Sequence, residues 1–310
     1  MFRKLAARLI SWEAAPARTA LAAFGKHPGW NDHIDDLGLE TDALVNVKRF
    51  LYVEGIGGNI DSGAWERLAD EQRLPGFDHA FVVRGGSDLV VGRLWSSSDG
   101  KGRTKYPMVV CADCSGMGVG WALAEALPVI DGVRRDCQAT PSPGAVRDSL
   151  DRARAGLLAR AAAAAGSGEL GEDGVLPLLA ARAELGPDGL GLLRILYQIE
   201  RELPIYRRGA PRNRSVVLQP QHLRVPACAP SLRDRLELWL RFLEGQLEAS
   251  APVVLLAPEG QDWVDILVGS PAPTQFFCIR AGPKAVPLTT EIPYTLDPDF
   301  VARARRLIGP

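Results

Sequence analysis

Three apolar runs, FVV (81–83), LVVGRLW (89–95) and MVVCA (108–112), constrain this chain more than anything else in it. Each is of strand length and rich in β-branched residues. Gly85-Gly86 lies between the first two, which is a hairpin signal. The polar loop SSSDGKGRTKYP (96–107) lies between the second and third. The three runs therefore predict an antiparallel meander.

β pattern returns near the other end as VVLLA (253–257), WVDILVG (263–269) and FFCIRA (276–281). Helical pattern fills the middle. TDALVNVKRFL (41–51) reads as a helix, and WERLADEQ (65–72) as a short one stopped by Pro75-Gly76. WALAEAL (121–127) reads as a helix before Pro128. AVRDSLDRARAGLLARAAAAA (145–165) and LGLLRILYQIEREL (190–203) are rich in helix formers. GSGELGEDG (166–174) joins them as a flexible connection. Prolines 204, 211, 220, 226 and 230 mark an extended connector with one expected strand, SVVLQ. Ser231 with Asp234 starts a further helix. Its Leu236, Trp239, Leu240, Leu243 and Leu247 fall on one stripe. Strands at both ends with helices between predict an α/β fold, a mixed and largely antiparallel sheet with a helical region at about 140–205. That region reads as part of one 21–310 domain or as an insertion into it.

Residues 1–20 predict an amphipathic helix, with Phe2, Leu5, Leu9 and Trp12 on one face. Arg8 and Glu13 interrupt any secretory apolar core. Packing on the chain's own surface, or docking on a membrane surface or a partner, are the open readings for it.

Bulk numbers exclude several classes. Net charge is −1, so no global field draws in nucleic acid. No run approaches the ~20 apolar residues of a membrane span. Five cysteines without regular spacing do not read as a disulfide framework, which points to a reducing cytoplasm.

The 96–107 loop has Gly100-Lys101 but neither the leading Gly nor the Ser/Thr of a P-loop, and it joins two strands. CSGMGVGW (114–121) places Trp121 where a dinucleotide fingerprint needs Gly. Cys111 and Cys114 form C-x-x-C without a second pair, so they read as buried structural cysteines. HPGWNDHIDD (27–36) crowds His27, Asp32, His33, Asp35 and Asp36 into what reads as an exposed turn. A metal-dependent hydrolase built on His27, Asp32 and His33 is the enzymatic alternative. No nucleophile elbow is present, no cofactor is implied, and the expected reading is non-enzymatic.

Two segments together resemble the TagF family, accessory proteins of bacterial type VI secretion. In FGKHPGWNDH (24–33), Gly25, Lys26, Pro28 and Asp32 match the family's G-K-x-P-x-x-x-D. Asn31 and His33 stand where the family usually has Gly and Phe. In GRLWSSSDGKGRTKYPM (92–108), Gly92, Leu94, Ser97, Asp99, Gly102, Arg103, Tyr106 and Pro107 match G-x-L-x-P-S-x-D-x-x-G-R followed by an aromatic and Pro. Ser96 replaces the usual Pro, and one extra residue precedes Tyr106. DWVDILVG (262–269) is similar to the family's Trp-containing strand.

The resemblance implies a three-layer αβα sandwich. It implies a cytoplasmic regulator that restrains assembly of the secretion apparatus by binding protein, with a forkhead-associated scaffold protein as the expected partner. The ten motif residues outside the 92–94 strand become candidate interface or loop-fixing groups: Gly25, Lys26, Pro28, Asp32, Ser97, Asp99, Gly102, Arg103, Tyr106 and Pro107. Asp99 and Arg103, four apart across two glycines, predict a charge-assisted bond that pins the loop. A structural adaptor of another bacterial system sharing the fold is a further alternative.

Overall fold

The computed structural model describes residues 18–164, 179, 180, 182, 185, 189–207 and 220–308. The amphipathic pattern of residues 1–17, the connection at 166–174 and the SVVLQ segment lie outside the described residues. Residues 18 and 19 are not helical and Ala20 opens a strand, so the expected N-terminal helix does not extend to residue 20.

The elements in chain order begin with β1 (Ala20–Gly25) and α1 (Asp42–Val47). α1 runs on through a π-helical stretch, Lys48–Gly57, into α2 (Gly58–Asp61). The meander follows as β2 (Asp78–Gly85), β3 (Asp88–Ser96) and β4 (Pro107–Asp113). Next come α3 (Val119–Trp121), π-helical Ala122–Ala126, α4 (Leu127–Ala139) and α5 (Pro143–Ala163). Then come α6 (Gly191–Glu202), β5 (Gln221–Pro226), α7 (Leu232–Gln246), β6 (Val253–Pro258), β7 (Trp263–Val268) and α8 (Pro298–Ile308).

One seven-stranded sheet runs in the order β1-β4-β3-β2-β6-β7-β5, antiparallel throughout. The β2–β3 hairpin closes at the Gly85–Asp88 pair, and Gly86 in the turn takes φ 61°. That conformation costs glycine nothing, which is why the sequence signal was legible. Period-2 alternation puts the two faces of each strand into two different cores. Leu21, Ala23, Val82, Val91 and Val110 pack beneath α4, α5 and α7. Phe24, Phe81, Leu94, Val109 and Leu256 pack beneath α1 and the π-helical stretch. The result is an αβα arrangement with a core on each face. Gly92 in mid-strand makes room for Phe81, whose ring would lie 2.3 Å from a Cβ there.

Several local expectations are corrected. WERLADEQ is a series of turns ending in a 3₁₀ turn at Asp70–Gln72, because Trp65 is drawn into the core and donates to the Phe277 carbonyl. Pro128 does not end its helix. Helical backbone is continuous from Val119 to Ala139, and Pro128 directly follows the π-helical turn Ala122–Ala126, where the hydrogen-bond ladder is already shifted. FFCIRA is not a strand: its first four residues belong to a 3₁₀ segment, Pro273–Ile279, which lays Phe276, Cys278 and Ile279 across the second face of the sheet, and Ala281 makes only an isolated bridge to Arg73. Among the described residues no helix is long and apolar enough to cross a membrane.

Candidate functional site

The two motif segments, far apart in sequence, meet at one end of the sheet. β1 and β4 are paired so that Gly25 faces Met108, which brings the chain leaving β1 against the end of the 96–107 loop. Gly25 takes φ 108°, and a Cβ there would lie 2.3 Å from the Pro107 carbonyl oxygen. That oxygen accepts from the Lys26 amide at 3.1 Å and from the Tyr52 hydroxyl at 3.2 Å.

The Lys26 side chain turns inward, its atoms only 5% exposed. Its Nζ donates to Asp99 Oδ2 at 2.8 Å and to Asp32 Oδ1 at 2.5 Å. Asp99 is the hub, with its side chain fully buried. Its Oδ1 accepts the amides of Lys101 and Arg103, both at 3.0 Å, and its Oδ2 accepts Arg103 Nε at 2.6 Å. Arg103 then bridges back: Nη2 donates to the Asn31 carbonyl at 2.9 Å and lies 3.3 Å from Asp32. The Gly100 amide donates to the Trp30 carbonyl at 2.6 Å, and Gly102 makes the turn possible with φ 77°. Two cations and two carboxylates thus balance inside one knot and bind the loop after β1 to the loop between β3 and β4.

The carboxyls show the electrostatics. Lys26 above all, then His33, hold Asp32 down to about 2. Burial works to raise Asp99, but bonds from Lys26, Arg103 and the Lys101 amide outweigh it and leave the group well below the carboxylate range. The aromatic side of the knot is apolar. Tyr106 lies 5.2 Å from the His33 ring and 5.8 Å from Tyr52, whose hydroxyl burial pushes far up.

The structure thus brings together Gly25, Lys26, Asp32, Asp99, Gly102, Arg103, Tyr106 and Pro107. Pro28 joins through its backbone, since its carbonyl would lie 3.0 Å from a Cβ on Gly100. Ser97 does not join: it makes no hydrogen bond among the described residues, so it does no loop-fixing, and Asp99 takes the loop amides instead. Tyr52 was missed by sequence reasoning. It belongs to a helix that offered no motif, and only the fold lays it over Pro107.

The expected exposed turn at 27–36 is partly buried. His27 is 1% exposed: Gly29 N–H donates to its Nδ1 at 3.1 Å, so Nε2 carries the proton and donates to the Cys137 carbonyl at 2.9 Å. Burial lowers its pKa against the opposing pull of the Cys137 and Thr140 backbone, which keeps it neutral. Both ring nitrogens are therefore committed within the chain, and His27 has none left for a metal shared with Asp32 and His33. Among the described residues, three potential ligands converge within 4.8 Å only at His222, Asp265 and Cys278. There Arg224 occupies both carboxylate oxygens of Asp265, at 2.7 and 2.9 Å, an arrangement that serves an ion pair. Cys111 and Cys114 are buried free thiols, and burial pushes both well above the usual thiol range.

No family model matches the chain, and no curated protein matches it. Among solved structures, it is similar to the crystal structure of PA0076 from Pseudomonas aeruginosa PAO1, at 14% identity and a TM-score of 0.31. The match covers 43% of this chain, which spans 61% of that one.

Proposed function

We propose that this chain is a divergent TagF-like protein that acts without catalysis, by binding another protein of a bacterial type VI secretion system in the cytoplasm. A forkhead-associated scaffold protein is the expected partner, and restraint of assembly is the expected effect. One observation carries the reading. The residues that give the family resemblance are the ones joined in the knot of Lys26, Asp32, Asp99 and Arg103. Such a knot holds two surface loops in one shape, and loops fixed on a sheet scaffold are suited to recognition. His27, central to the hydrolase alternative, has both nitrogens bonded internally, which favours binding over hydrolysis.

The test is a pulldown with the full chain from a host that encodes the secretion system. A secretion component is expected on the wild-type bait and lost from Arg103→Ala, which unties the loop without touching a core side chain. Recovery of no such component while the apparatus is present, or equal recovery by the variant, refutes the reading. Metal content after purification without chelator tests the hydrolase alternative independently.

A further inference from the structure

A groove of about 660 Å³ opens on the other side of the 96–105 loop, walled by the turns at 65–77 and by Arg280. Its charge is lopsided. Arg73, Lys105 and Arg280 line it, with Glu66 the one acidic residue among its described lining. The two arginines are placed there by backbone. Arg73 and Ala281 form an isolated antiparallel bridge, and the Leu74 amide donates to the Arg280 carbonyl at 2.8 Å. Arg280 is aimed as well as placed: Nε donates to the Leu74 carbonyl at 3.0 Å, and the guanidinium lies 4.9 Å from the centre of the Phe77 ring. Arg73 is steadied by Asp70 at 2.7 Å and by the Trp65 carbonyl at 3.3 Å. Asp70 is 95% exposed, so water screens most of what it offers. Burial and then the charge of Arg73 lower the pKa of Arg280, as expected for like charges held close.

The rest of the lining supplies donors. Ser97, Ser98 and Thr104 make no hydrogen bond, and Lys105 no ion pair, among the described residues. Ser96 Oγ accepts from the Phe77 amide at 2.7 Å and keeps its own proton to give. Two guanidinium groups, an ammonium and several hydroxyls border one hollow, with Glu66 in the lining and the exposed Asp70 on Arg73 as its acidic neighbours, and the N–H groups not spent on Asp70, Trp65, Leu74 and Pro75 form a donor set for a tetrahedral oxyanion. A phosphate group carries about −1.5 to −2 charges at neutral pH and would relieve the repulsion between the arginines. The volume lies in the range of small-molecule sites, roughly 300–1,000 Å³, and leaves room beyond the phosphate for the body it is attached to.

We propose that this groove binds a phosphate monoester of a small molecule, its phosphate held between Arg73, Arg280 and Lys105. The site is separate from the ion-pair knot, although Thr104 and Lys105 sit on the loop that the knot fixes.

Calorimetric titration of the full chain at constant ionic strength provides the test. The probes are O-phospho-L-serine and adenosine monophosphate, with L-serine, adenosine and inorganic phosphate as comparisons. At least one ester is expected to bind and its neutral parent not to. Lys105→Ala and Arg280→Lys should each weaken that ester about tenfold or more, the worth of one charge-assisted bond. Lys105 is exposed, so its variant is expected to keep the wild-type urea midpoint and to report on binding alone. Absence of ester binding at millimolar concentration overturns the proposal. So does ester binding that both variants leave unchanged. Inorganic phosphate binding as tightly as the esters overturns the ester assignment and gives the groove to the free ion.

Discussion

The junction between β1 and the knot can be tested with one methyl group. Gly25→Ala must place an L residue at φ 108° and put a Cβ 2.3 Å from the Pro107 oxygen and 3.1 Å from the Tyr52 hydroxyl. The carbonyl cannot simply retreat, because it holds the Lys26 amide and the Tyr52 hydroxyl at once. Left-handed backbone costs about 1–2 kcal/mol for a non-glycine residue, and the collision adds about 1–3 kcal/mol, so a loss of about 3 kcal/mol is expected. Gly102→Ala is the control. Its φ is 77°, but a Cβ there would meet no atom within 4 Å. It should lose only the backbone cost, about 1–2 kcal/mol. Urea unfolding followed by tryptophan fluorescence gives both values, and amide exchange at Lys101 and Arg103 shows whether the loop has come loose. Equal destabilisation by the two substitutions would refute the claim that close contact with Pro107 sets the position of Lys26.

Arg224→Met strands the fully buried Asp265 carboxylate, leaving it His222 and Trp263 as donors. The loss should be about 3 kcal/mol, at the lower end for a broken buried pair, read as a fall in urea midpoint at constant slope. Asp32 and Asp99 have folded pKa values depressed below the unfolded ones. Their contribution is therefore complete above about pH 4 and lost as pH falls through the folded values. Protection factors at Lys101 and Arg103 should be flat near neutrality and drop in acid. Asp78 runs the other way: burial, with some help from Glu259, raises it to about 6 against the pull of Arg93. Its ionisation thus costs stability at neutral pH, and that cost should disappear as pH falls from about 6 to about 4. A carboxyl carbon titration placing Asp78 near its ordinary value would contradict this.

The parts of the fold that show in the sequence are those fixed by local chemistry. The β2–β3 turn needs φ above zero and has Gly86 to supply it, and Ser231 caps α7 by accepting the Asp234 amide. The stripe from Leu236 to Leu247 is buried as its spacing implies. The parts that do not show are decided by partners distant along the chain. ALAAFG (20–25) has helix-forming residues, yet β4 captures it as an edge strand. Phe276 and Cys278 carry a strand-like pattern but are spent on covering the sheet. At the site, the i, i+4 spacing of Asp99 and Arg103 foretold their bond but not its setting. Asp99 is fully buried because Lys26, 73 residues earlier, closes over it. Arg93 gave no signal at all: it is 1% exposed and meets Asp78 of β2, Asp131 of α4 and Glu259 in the turn after β6.

The knot is best understood through what its stability does not require. Taking Lys26 and Asp99 out of water costs roughly what their attraction returns, and an apolar pair of similar volume would often hold a fold as well. What apolar side chains cannot supply is direction. Asp99 fixes two loop amides and a guanidinium with its two oxygens, and Lys26 divides its donors between two carboxylates on different loops. Each bond fails if either loop shifts by about an ångström, because a hydrogen bond weakens steeply away from its preferred distance and angle. The same residues leave half of Arg103 and two-thirds of Asp32 in solvent, at 52% and 68% exposure. A buried centre thus sets the geometry beneath an exposed, charged rim, and the ordering cost of the two loops is met within the fold itself.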